Sequence, residues 1–303
     1  MNDSGLPPLD KKSVRTGFAR AAAHYDAAAI LQREIADRLL ARLDYMRIAP
    51  RCVLDLGCGT GYATGLLAKR YPRARVLALD LAHAMTAAAQ VRVVPRLPFG
   101  LGRVLRGSRF ITGDAEVLPF ADASIDLVFS NLSLQWCDPD AVFRECRRLL
   151  KPGGLFLFTT FGPDTLKELR AAWRAVDGEP HVHAFIDMHD LGDALVRARF
   201  ADPVMDVEPL TLTYPDVPAV LRDLKAIGAH NAAAARRATL TGKTHFARFV
   251  AAYEIFRRAD GRLPASYETV YGHAWAPTRV AGSSVTPDGH AVISLDKLRR
   301  GQG

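Results

Sequence analysis

The clearest pattern along the chain lies between residues 52 and 161, where short apolar runs alternate with stretches whose apolar residues recur at helical spacing. Apolar runs bounded by turn residues predict strands, and recurrence every three or four residues predicts helices. The predicted strands are Cys52–Leu56, Arg75–Leu79, 109–112, Ile125–Ser130 and Leu155–Phe161. The predicted helices between them are Tyr62–Tyr71, Ala82–Val91 and Asp138–Leu150. This alternation predicts an α/β fold with a mostly parallel sheet and right-handed crossovers.

The segment before this region predicts helices without strands. Residues 1–12 predict a disordered lead, because they hold prolines and acidic residues and no apolar run. Residues 13–47 predict a helical cap, since Phe18, Ala22 and Tyr25 begin a series of apolar positions at helical spacing.

The segment after residue 161 completes a core that we expect to span residues 48–214. Its remaining elements are predicted as helices and one strand, at Pro163–Val176, Leu191–Arg199 and Val204–Tyr214. Residues 215–265 contain no convincing strand and predict a helical lid over the carboxyl ends of the strands. Residues 266–276 predict a final core strand, antiparallel to the others, and 277–303 a tail.

Composition narrows the class of protein. Hydrophobic residues make up 49% and charged residues 24% of the chain, as in ordinary soluble globular proteins. No apolar run reaches the ~18 residues of a membrane span, and no secretory signal is evident, so a cytoplasmic protein without membrane contact is expected. The four cysteines form no C-x-x-C pair, which predicts reduced thiols and no metal site.

The chain is basic, with 40 Lys and Arg against 32 Asp and Glu and a formal net charge of +8. Such a charge favours an acidic macromolecular partner, although an Arg-rich composition can also be a habit of the whole proteome. We found no RNA-binding motif and no basic stripe interleaved with aromatic residues, so nucleic acid is not the expected partner.

The candidate chemistry begins where the first predicted strand ends. Gly57, Gly59 and Gly61 follow Cys52–Leu56 and permit a sharp strand-to-helix turn against which a flat ligand can lie. A dinucleotide fingerprint has its third glycine three residues after the second, and Tyr62 occupies that position here, so a pyrophosphate is not the expected ligand. The alternative is a tight turn without a ligand.

Polar residues follow the next predicted strands. Asp80 lies 25 residues after Asp55, where a carboxylate can accept hydrogen bonds from two ribose hydroxyls. Asp114 and Ala115 follow the third strand, where a carboxylate and a backbone N–H suit an adenine edge. Asn131 closes the fourth strand. The alternatives are a surface Asp at a strand end and an Asx-turn.

The sequence Asp55-Leu-Gly-Cys-Gly-Thr-Gly61 resembles motif I of class I S-adenosylmethionine-dependent methyltransferases, and the run from Gly113 to Phe120 is similar to the same family. The resemblance implies a Rossmann-like sheet and S-adenosyl-L-methionine as cofactor. It implies that cofactor contacts come from Tyr25, Asp55, Gly57, Gly59, Gly61, Asp80, Leu81, Asp114, Ala115 and Asn131. An amphipathic helix of purely structural role remains the alternative for the segment around Tyr25.

Motifs in the second half are more specific. The segments 132–136, 159–169, 185–193, 223–231 and 267–275 resemble the malonyl-acyl-carrier-protein O-methyltransferases of biotin synthesis, over about residues 13 to 275. The resemblance implies methyl-ester formation on the free carboxyl of a malonyl thioester, with an acyl carrier protein as partner. It departs at residues 91–109, which are longer and more basic than expected, and after Ala276.

No paired carboxylates or Ser/His/Asp set is evident, and none is expected, because a carboxylate with a pKa near ~4 is already ionised at pH 7. Catalysis would rest on orientation, so no catalytic residue is assigned. The acceptor candidates are Arg20, Trp136, Lys225, His230, Asn231, Tyr271 and His273. Trp136, Tyr271 and His273 are alternatively core residues, and Lys225 a solvated helix residue.

The acyl carrier protein is expected to be acidic, and basic side chains near the mouth would steer it. The candidates are Arg144, Arg147 and Arg148 on the helix after the fourth strand, together with the basic loop at 92–109; a merely solvated face is the alternative. Two other functions remain open: a small-molecule or quinone methyltransferase, and an assembly factor of this fold that hydroxylates an arginine or acts by binding.

Overall fold

The computed structural model describes residues 9–93, 108–229, 231–232, 242–278, 284–285 and 291–292. Its main element is a seven-stranded sheet with the order β3-β2-β1-β4-β5-β7-β6. The strands are β1 (Cys52–Leu56), β2 (Arg75–Asp80), β3 (Ser108–Thr112), β4 (Ile125–Asn131), β5 (Leu150–Phe161), β6 (Ala201–Tyr214) and β7 (Leu263–Trp275). A separate two-residue pair joins β8 (Ser284–Val285) to β9 (Ala291–Val292). The predicted α/β class with a mostly parallel sheet is confirmed.

The helices alternate with these strands. They are α1 (Lys11–Ala21), α2 (Tyr25–Ala28), α3 (Ile30–Arg42), α4 (Tyr62–Arg70), α5 (His83–Val93), α6 (Pro139–Leu149), α7 (Lys167–Arg174), α8 (Met188–Arg197), α9 (Val217–Ala226) and α10 (Lys243–Glu254). Short 3-10 turns occupy Leu43–Tyr45 and Leu134–Trp136. The predicted lid segment therefore contributes α9 and α10, which lie in the chain between β6 and β7.

Strand β1 lies at the centre because its side chains are apolar on both faces. Val53, Leu54 and Leu56 are fully buried, and the strand pairs in parallel with β2 on one side and β4 on the other. A parallel sheet needs apolar contact on both faces, since crossover helices cover both. The strand order reverses between β1 and β4. Ligands bind at such a point, outside the carboxyl ends of the strands.

The lead predicted at residues 1–12 is wrong for its last four residues. The side chain of Asp10 accepts a hydrogen bond from the Ser13 N–H (3.0 Å) and caps α1, which begins at Lys11. The Asp10 N–H donates to the Ala232 carbonyl (2.9 Å). An Asp at the N-cap satisfies a free helix N–H, and this signal was present in the sequence. Residues 1–8 lie outside the described residues.

Two other boundaries differ from prediction. Helix α7 begins at Lys167 instead of Pro163, because Leu166 takes a left-handed conformation (φ 56°). Strand β7 begins at Leu263, inside the segment predicted as lid, and pairs antiparallel with both β5 and β6. Because β7 runs opposite to its neighbours, its first residues, and not its last, reach the carboxyl edge of the sheet.

Candidate functional site

The glycine loop follows β1 and crosses to β2. The backbone N–H groups of Gly57 and Cys58 both donate to the Leu79 carbonyl, at 2.8 and 2.9 Å. Gly57 has φ +76°, and a Cβ there would lie 2.3 Å from the Cβ of Ser133. Gly61 has φ +82°, and a Cβ there would lie 2.8 Å from the backbone of Ala89 in α5. Both positions therefore require glycine, for backbone conformation and for space.

Asp80, at the end of β2, is bonded to this loop. Its Oδ2 accepts the Gly59 N–H at 2.9 Å, and its Oδ1 accepts the Ala82 N–H at 2.8 Å. Burial raises the pKa of Asp80 to about 6, although these two hydrogen bonds oppose the shift. A carboxylate has about four acceptor positions, so two remain for hydroxyl groups of a ligand.

Asp55 lies behind the loop and is almost fully buried. Its Oδ2 accepts a hydrogen bond from the Thr64 hydroxyl. Burial, with a smaller contribution from the charge of Asp80, raises the pKa of Asp55 to about 7. Two carboxylates whose charged forms are disfavoured by burial make this end of the sheet receptive to a cation or to hydroxyl donors.

The N-terminal helices cover this end of the sheet. Tyr25, at the start of α2, lines both a cavity that holds Asp80 and Asp114 and a second cavity that holds Asp55. Asp26 accepts a hydrogen bond from the Thr60 hydroxyl at 2.6 Å and pairs with Arg92. Helix α2 is therefore attached to the glycine loop and to α5.

Lys11 ties α1 to the same cavity. Its Nζ lies 2.6 Å from Asp114 Oδ1 and 2.7 Å from Glu116 Oε1, and Lys11 itself lines the cavity. Lys11 was not among the predicted site residues, because it falls within the predicted lead. Its signal was its place directly after a capping Asp.

The structure brings most of the predicted cofactor residues together. The first cavity is lined by Tyr25, Gly57, Gly59, Asp80, Leu81, Asp114, Ala115 and Asn131, and the second by Tyr25, Asp55, Gly57, Gly59 and Asn131. Gly61 lines neither and acts by letting α4 approach α5. The amide of Asn131 bonds the Gln32 carbonyl (3.0 Å) and the Thr159 hydroxyl (2.9 Å), which leaves its backbone for a ligand.

A larger cavity of ≈ 390 Å³ adjoins the first one, and Trp136 lines both. Its walls are mostly apolar or aromatic and come from α7, α9, β7 and the segment between α7 and α8. They include Phe161, Leu169, Trp173, His181, His183, Phe185, Leu224 and Tyr267. Trp173 lies between the rings of His181 and Phe249, at 3.7 and 4.1 Å between centroids. We call this space the acceptor cavity.

Three of the predicted acceptor residues line the acceptor cavity, namely Trp136, Lys225 and Asn231. Lys225 is exposed and marks the mouth, whereas Trp136 marks the end next to the first cavity. The side-chain amide of Asn231 donates to the Pro180 carbonyl. Arg20 is exposed on α1 and lines neither this cavity nor the two at the glycine loop. His230 lies outside the described residues.

The structure does not bring Tyr271 and His273 to the acceptor cavity. Tyr271 is 1% exposed and donates to Glu208 at 3.1 Å, while Arg42 lies 4.1 Å over its ring. Burial, and then the charge of Arg42, lower the pKa of His273. Tyr271 thus packs beside the ion pairs that join α3 to β6, and His273 feels the charge of the same Arg42. Because β7 is antiparallel, as predicted, its first residues lie at the carboxyl edge, and Tyr267 lines the cavity where Tyr271 does not.

The arginines of α6 that were predicted to dock the carrier protein lie away from the acceptor cavity. Helix α6 runs back from the carboxyl edge, so its last turn lies near the start of β5 at the opposite edge. Arg148 pairs with Glu145 (2.8 Å) and Asp122 (2.6 Å) and donates to two carbonyls. Arg147 donates to the Arg199 carbonyl (3.2 Å). Only Arg144, of the three, is exposed.

The sequence analysis missed the aromatic wall of the acceptor cavity. Its available signal was the alternation of rings at His181, His183 and Phe185, which places side chains of one type on one side of an extended segment. Trp173 and Tyr267 carried no comparable signal, because their meeting depends on tertiary packing.

Two kinds of site are absent from the part of the chain that the structure describes. Within those residues no group of His, Cys, Asp and Glu is placed to hold a metal ion. Among the same residues, no helix has the length and apolar character needed to cross a bilayer. All four cysteines are free thiols.

Comparison with known proteins gives the family. Residues 54–158 match the model of a methyltransferase domain. The chain is 52% identical to the malonyl-[acyl-carrier protein] O-methyltransferase of Nitrosospira multiformis, over 95% of this chain and 96% of that protein. It is 56% identical to the protein of the same name from Laribacter hongkongensis, over 88% of this chain and 90% of that protein.

Solved structures agree on the fold. The YcgJ protein from Bacillus subtilis superposes with a TM-score of 0.53 and 18% identity, over 79% of this chain and 97% of that chain. The glycine loop, the Asp at the end of β2 and the cavities beside Tyr25 fit S-adenosylmethionine, the cofactor of class I methyltransferases. The chain belongs to the malonyl-[acyl-carrier protein] O-methyltransferase family, within the class I methyltransferases.

Proposed function

We propose that this chain methylates the free carboxylate of a malonyl thioester carried on an acyl carrier protein, giving a methyl ester that primes pimeloyl synthesis for biotin. The observation that carries the proposal is the acceptor cavity, which is closed by aromatic side chains and meets the cofactor cavity at Trp136. The names of the curated relatives support the same acceptor.

The residues at the glycine loop would hold the cofactor. Asp80 would accept hydrogen bonds from the ribose hydroxyls with the acceptor positions that Gly59 and Ala82 leave free. Asp114, kept in place by Lys11, would face the adenine, and Asp55, Gly57 and Gly59 would face the amino-acid end. Tyr25 would cover the cofactor from the side of α2.

S-adenosylmethionine would supply a methyl group on a sulfonium, and its C–S electron pair would return to sulfur as the carboxylate oxygen bonds the methyl carbon. The acceptor is ionised at pH 7, so the chain need not provide a base. The walls of the acceptor cavity would exclude water and hold the carboxylate oxygen in line with the methyl carbon. Orientation of this kind lowers the activation free energy by about 7–11 kcal/mol.

An apolar acceptor cavity suits this reaction for an electrostatic reason. An anion and a cation become two neutral products, so charge is lost along the reaction path. Water would stabilise the separated charges more than the transition state. Phe161, Leu169 and Trp173 keep water from the acceptor, which reduces that stabilisation.

The proposed partner is an acidic acyl carrier protein, met at the mouth of the acceptor cavity. Lys225 is exposed there and would meet acidic groups of the carrier. We place the reaction in the cytoplasm, with which four free thiols are compatible.

The experiment is mass spectrometry of malonyl-acyl carrier protein after incubation with the enzyme and S-adenosylmethionine. We expect the acyl group to gain one methyl and acetyl-acyl carrier protein to gain none. Unchanged malonyl carrier protein, with methylation of a quinone precursor, would show the small-molecule alternative to be correct. Addition of oxygen to a protein arginine would show the hydroxylating alternative to be correct.

A further inference from the structure

His183 is the one histidine in the described part of the chain whose buried ring nitrogen lacks a partner. It is 7% exposed, and its Nε2 is enclosed with no hydrogen bond from any described residue. The ring lies between Trp136 and Phe185, at 4.8 and 4.7 Å between centroids, and lines the acceptor cavity. A buried polar atom of this kind is uncommon, because it loses its bond to water and gains none in return.

His181 provides a contrast within the same wall. Its Nε2 lies 2.8 Å from Asp177 Oδ1, and its ring stacks on Trp173 at 3.7 Å. The neighbours of His181 therefore satisfy both its ring nitrogen and its ring face. His183, two residues later in the same cavity, has ring contacts but no polar contact.

We propose that the imidazole of His183 recognises the acceptor carboxylate: a turn of the ring would bring the enclosed Nε2 to the surface of the acceptor cavity, where its N–H donates one hydrogen bond to one carboxylate oxygen. This inference rests on the proposed function and names the residue that separates malonyl from neutral acyl groups. The contact with Trp136 puts His183 at the end of the acceptor cavity that adjoins the cofactor cavity, where the reacting carboxylate must lie.

The charge state of His183 suits this role. Burial, and then the nearby charge of Arg170, lower its pKa to about 4, so the ring is neutral at pH 7. A neutral imidazole has a single N–H donor. It can orient the carboxylate without a bidentate ion pair, which leaves the second oxygen free as the nucleophile.

Arg170 adds a positive potential behind His183. Its guanidinium donates to the carbonyls of Thr165 (2.5 Å) and Pro163, so it is held in place and does not enter the acceptor cavity as a lining residue. A fixed, partly buried cation attracts an anionic acceptor over a neutral one. Arg170 is thus a positioning residue, whereas His183 touches the acceptor.

The test compares His183→Ala, His183→Leu and His183→Gln with His245→Ala, an exposed histidine on α10, as the matched control. Malonyl-acyl carrier protein is the substrate, and acetyl-acyl carrier protein, which lacks the carboxylate, is added as the competitor. We expect His183→Ala and His183→Leu to raise the KM for the malonyl form roughly tenfold or more, with the inhibition constant of the acetyl form changed less than about twofold. His183→Gln, which keeps an N–H donor, should recover part of the loss.

Two measurements keep the test independent of folding and of the proposed function. Calorimetry with S-adenosylhomocysteine should give the same affinity for all variants, which shows an intact fold. Imidazole ¹⁵N shifts of His183 should respond to the malonyl carrier and not to the acetyl carrier. Equal losses for both acyl forms, or no loss with His183→Leu, would overturn the inference. A wild-type enzyme that leaves malonyl carrier protein unmethylated would instead defeat the proposed function.

Discussion

The two halves of the carboxyl edge differ in the polar groups that they present to a ligand. On the cofactor side, Asp80 and Asp114 each have at least two partners within the protein. In the acceptor cavity the walls are mostly apolar, and His183 has a buried nitrogen that no described residue meets. The carboxylates of the first half are held in advance by protein groups, although Gln32 Oε1 beside them is also buried without a partner among the described residues. The second half has no such carboxylate in its lining and presents His183 among apolar walls.

The largest effect should come from removing the aromatic stack of the acceptor half. Trp173→Ala deletes a ring held between His181 and Phe249, and a buried Trp of this kind stabilises a fold by about 3–5 kcal/mol. We expect that loss in chemical denaturation, with unchanged affinity of the folded fraction for S-adenosylhomocysteine. Trp173→Phe should recover most of the stability. A tenfold fall in cofactor affinity would show that the two halves are not independent.

The converse change acts on the cofactor half. Gly57→Ala places a Cβ 2.3 Å from that of Ser133 at φ +76°, which costs about 2–4 kcal/mol from strain and overlap. We expect cofactor affinity to fall roughly 100-fold in calorimetry. Gly178→Ala, where a Cβ meets nothing within 4 Å, is the matched control. An affinity for the cofactor equal to that of wild type would mean that the loop does not bind it.

As the pH falls, cofactor affinity should decrease at a higher pH than any effect on the acceptor cavity. The pKa of Asp80 is about 6, and ribose hydroxyls donate more strongly to its charged form, so affinity should fall as the pH drops through 6. Asp80→Asn should remove that dependence and cost about 1.5–3 kcal/mol at pH 8. Isothermal titration between pH 5 and 8 measures both. In the Asp80→Asn variant, the change of affinity near pH 7 that comes from Asp55, whose pKa is about 7, should remain.

The smallest effect on rate should come from changing the charge at the mouth of the acceptor cavity. Lys225→Glu should slow methylation of the carrier-linked acceptor by about 3–10-fold at low salt, and less at high salt, because only exposed charge is changed. Arg144→Glu makes the same charge change on α6, away from the cavity, and should leave the rate nearly unaltered. Equal slowing by the two variants would show that net charge, and not the mouth, steers the carrier.

The cofactor half was largely accessible from the sequence because its residues lie within a few positions of strand ends. Gly57, Asp80 and Asp114 each follow a predicted strand, and parallel strands bring such positions to one edge. Lys11 was not predicted as a site residue, because the first helix was expected to begin two residues later than it does. Local spacing was therefore sufficient wherever the sheet alone fixed the geometry.

The acceptor half was less accessible because its walls meet only through tertiary packing. Trp173 and Phe249 are far apart in the chain, and no periodicity relates them. Tyr267 reaches the carboxyl edge and Tyr271 does not, because the antiparallel β7 begins at that edge. The family resemblance supplied the acceptor, but of the residues that line the cavity only Trp136, Lys225 and Asn231 were among the candidates.

Trp136 lies between the cofactor cavity and the acceptor cavity and lines both. The cofactor cavity is lined by α1 and α2, whereas the acceptor cavity is lined by α9, so the two ligands are covered by different elements. Steady-state kinetics should consequently show a random sequential scheme, in which the methyl ester and the spent donor can leave in either order.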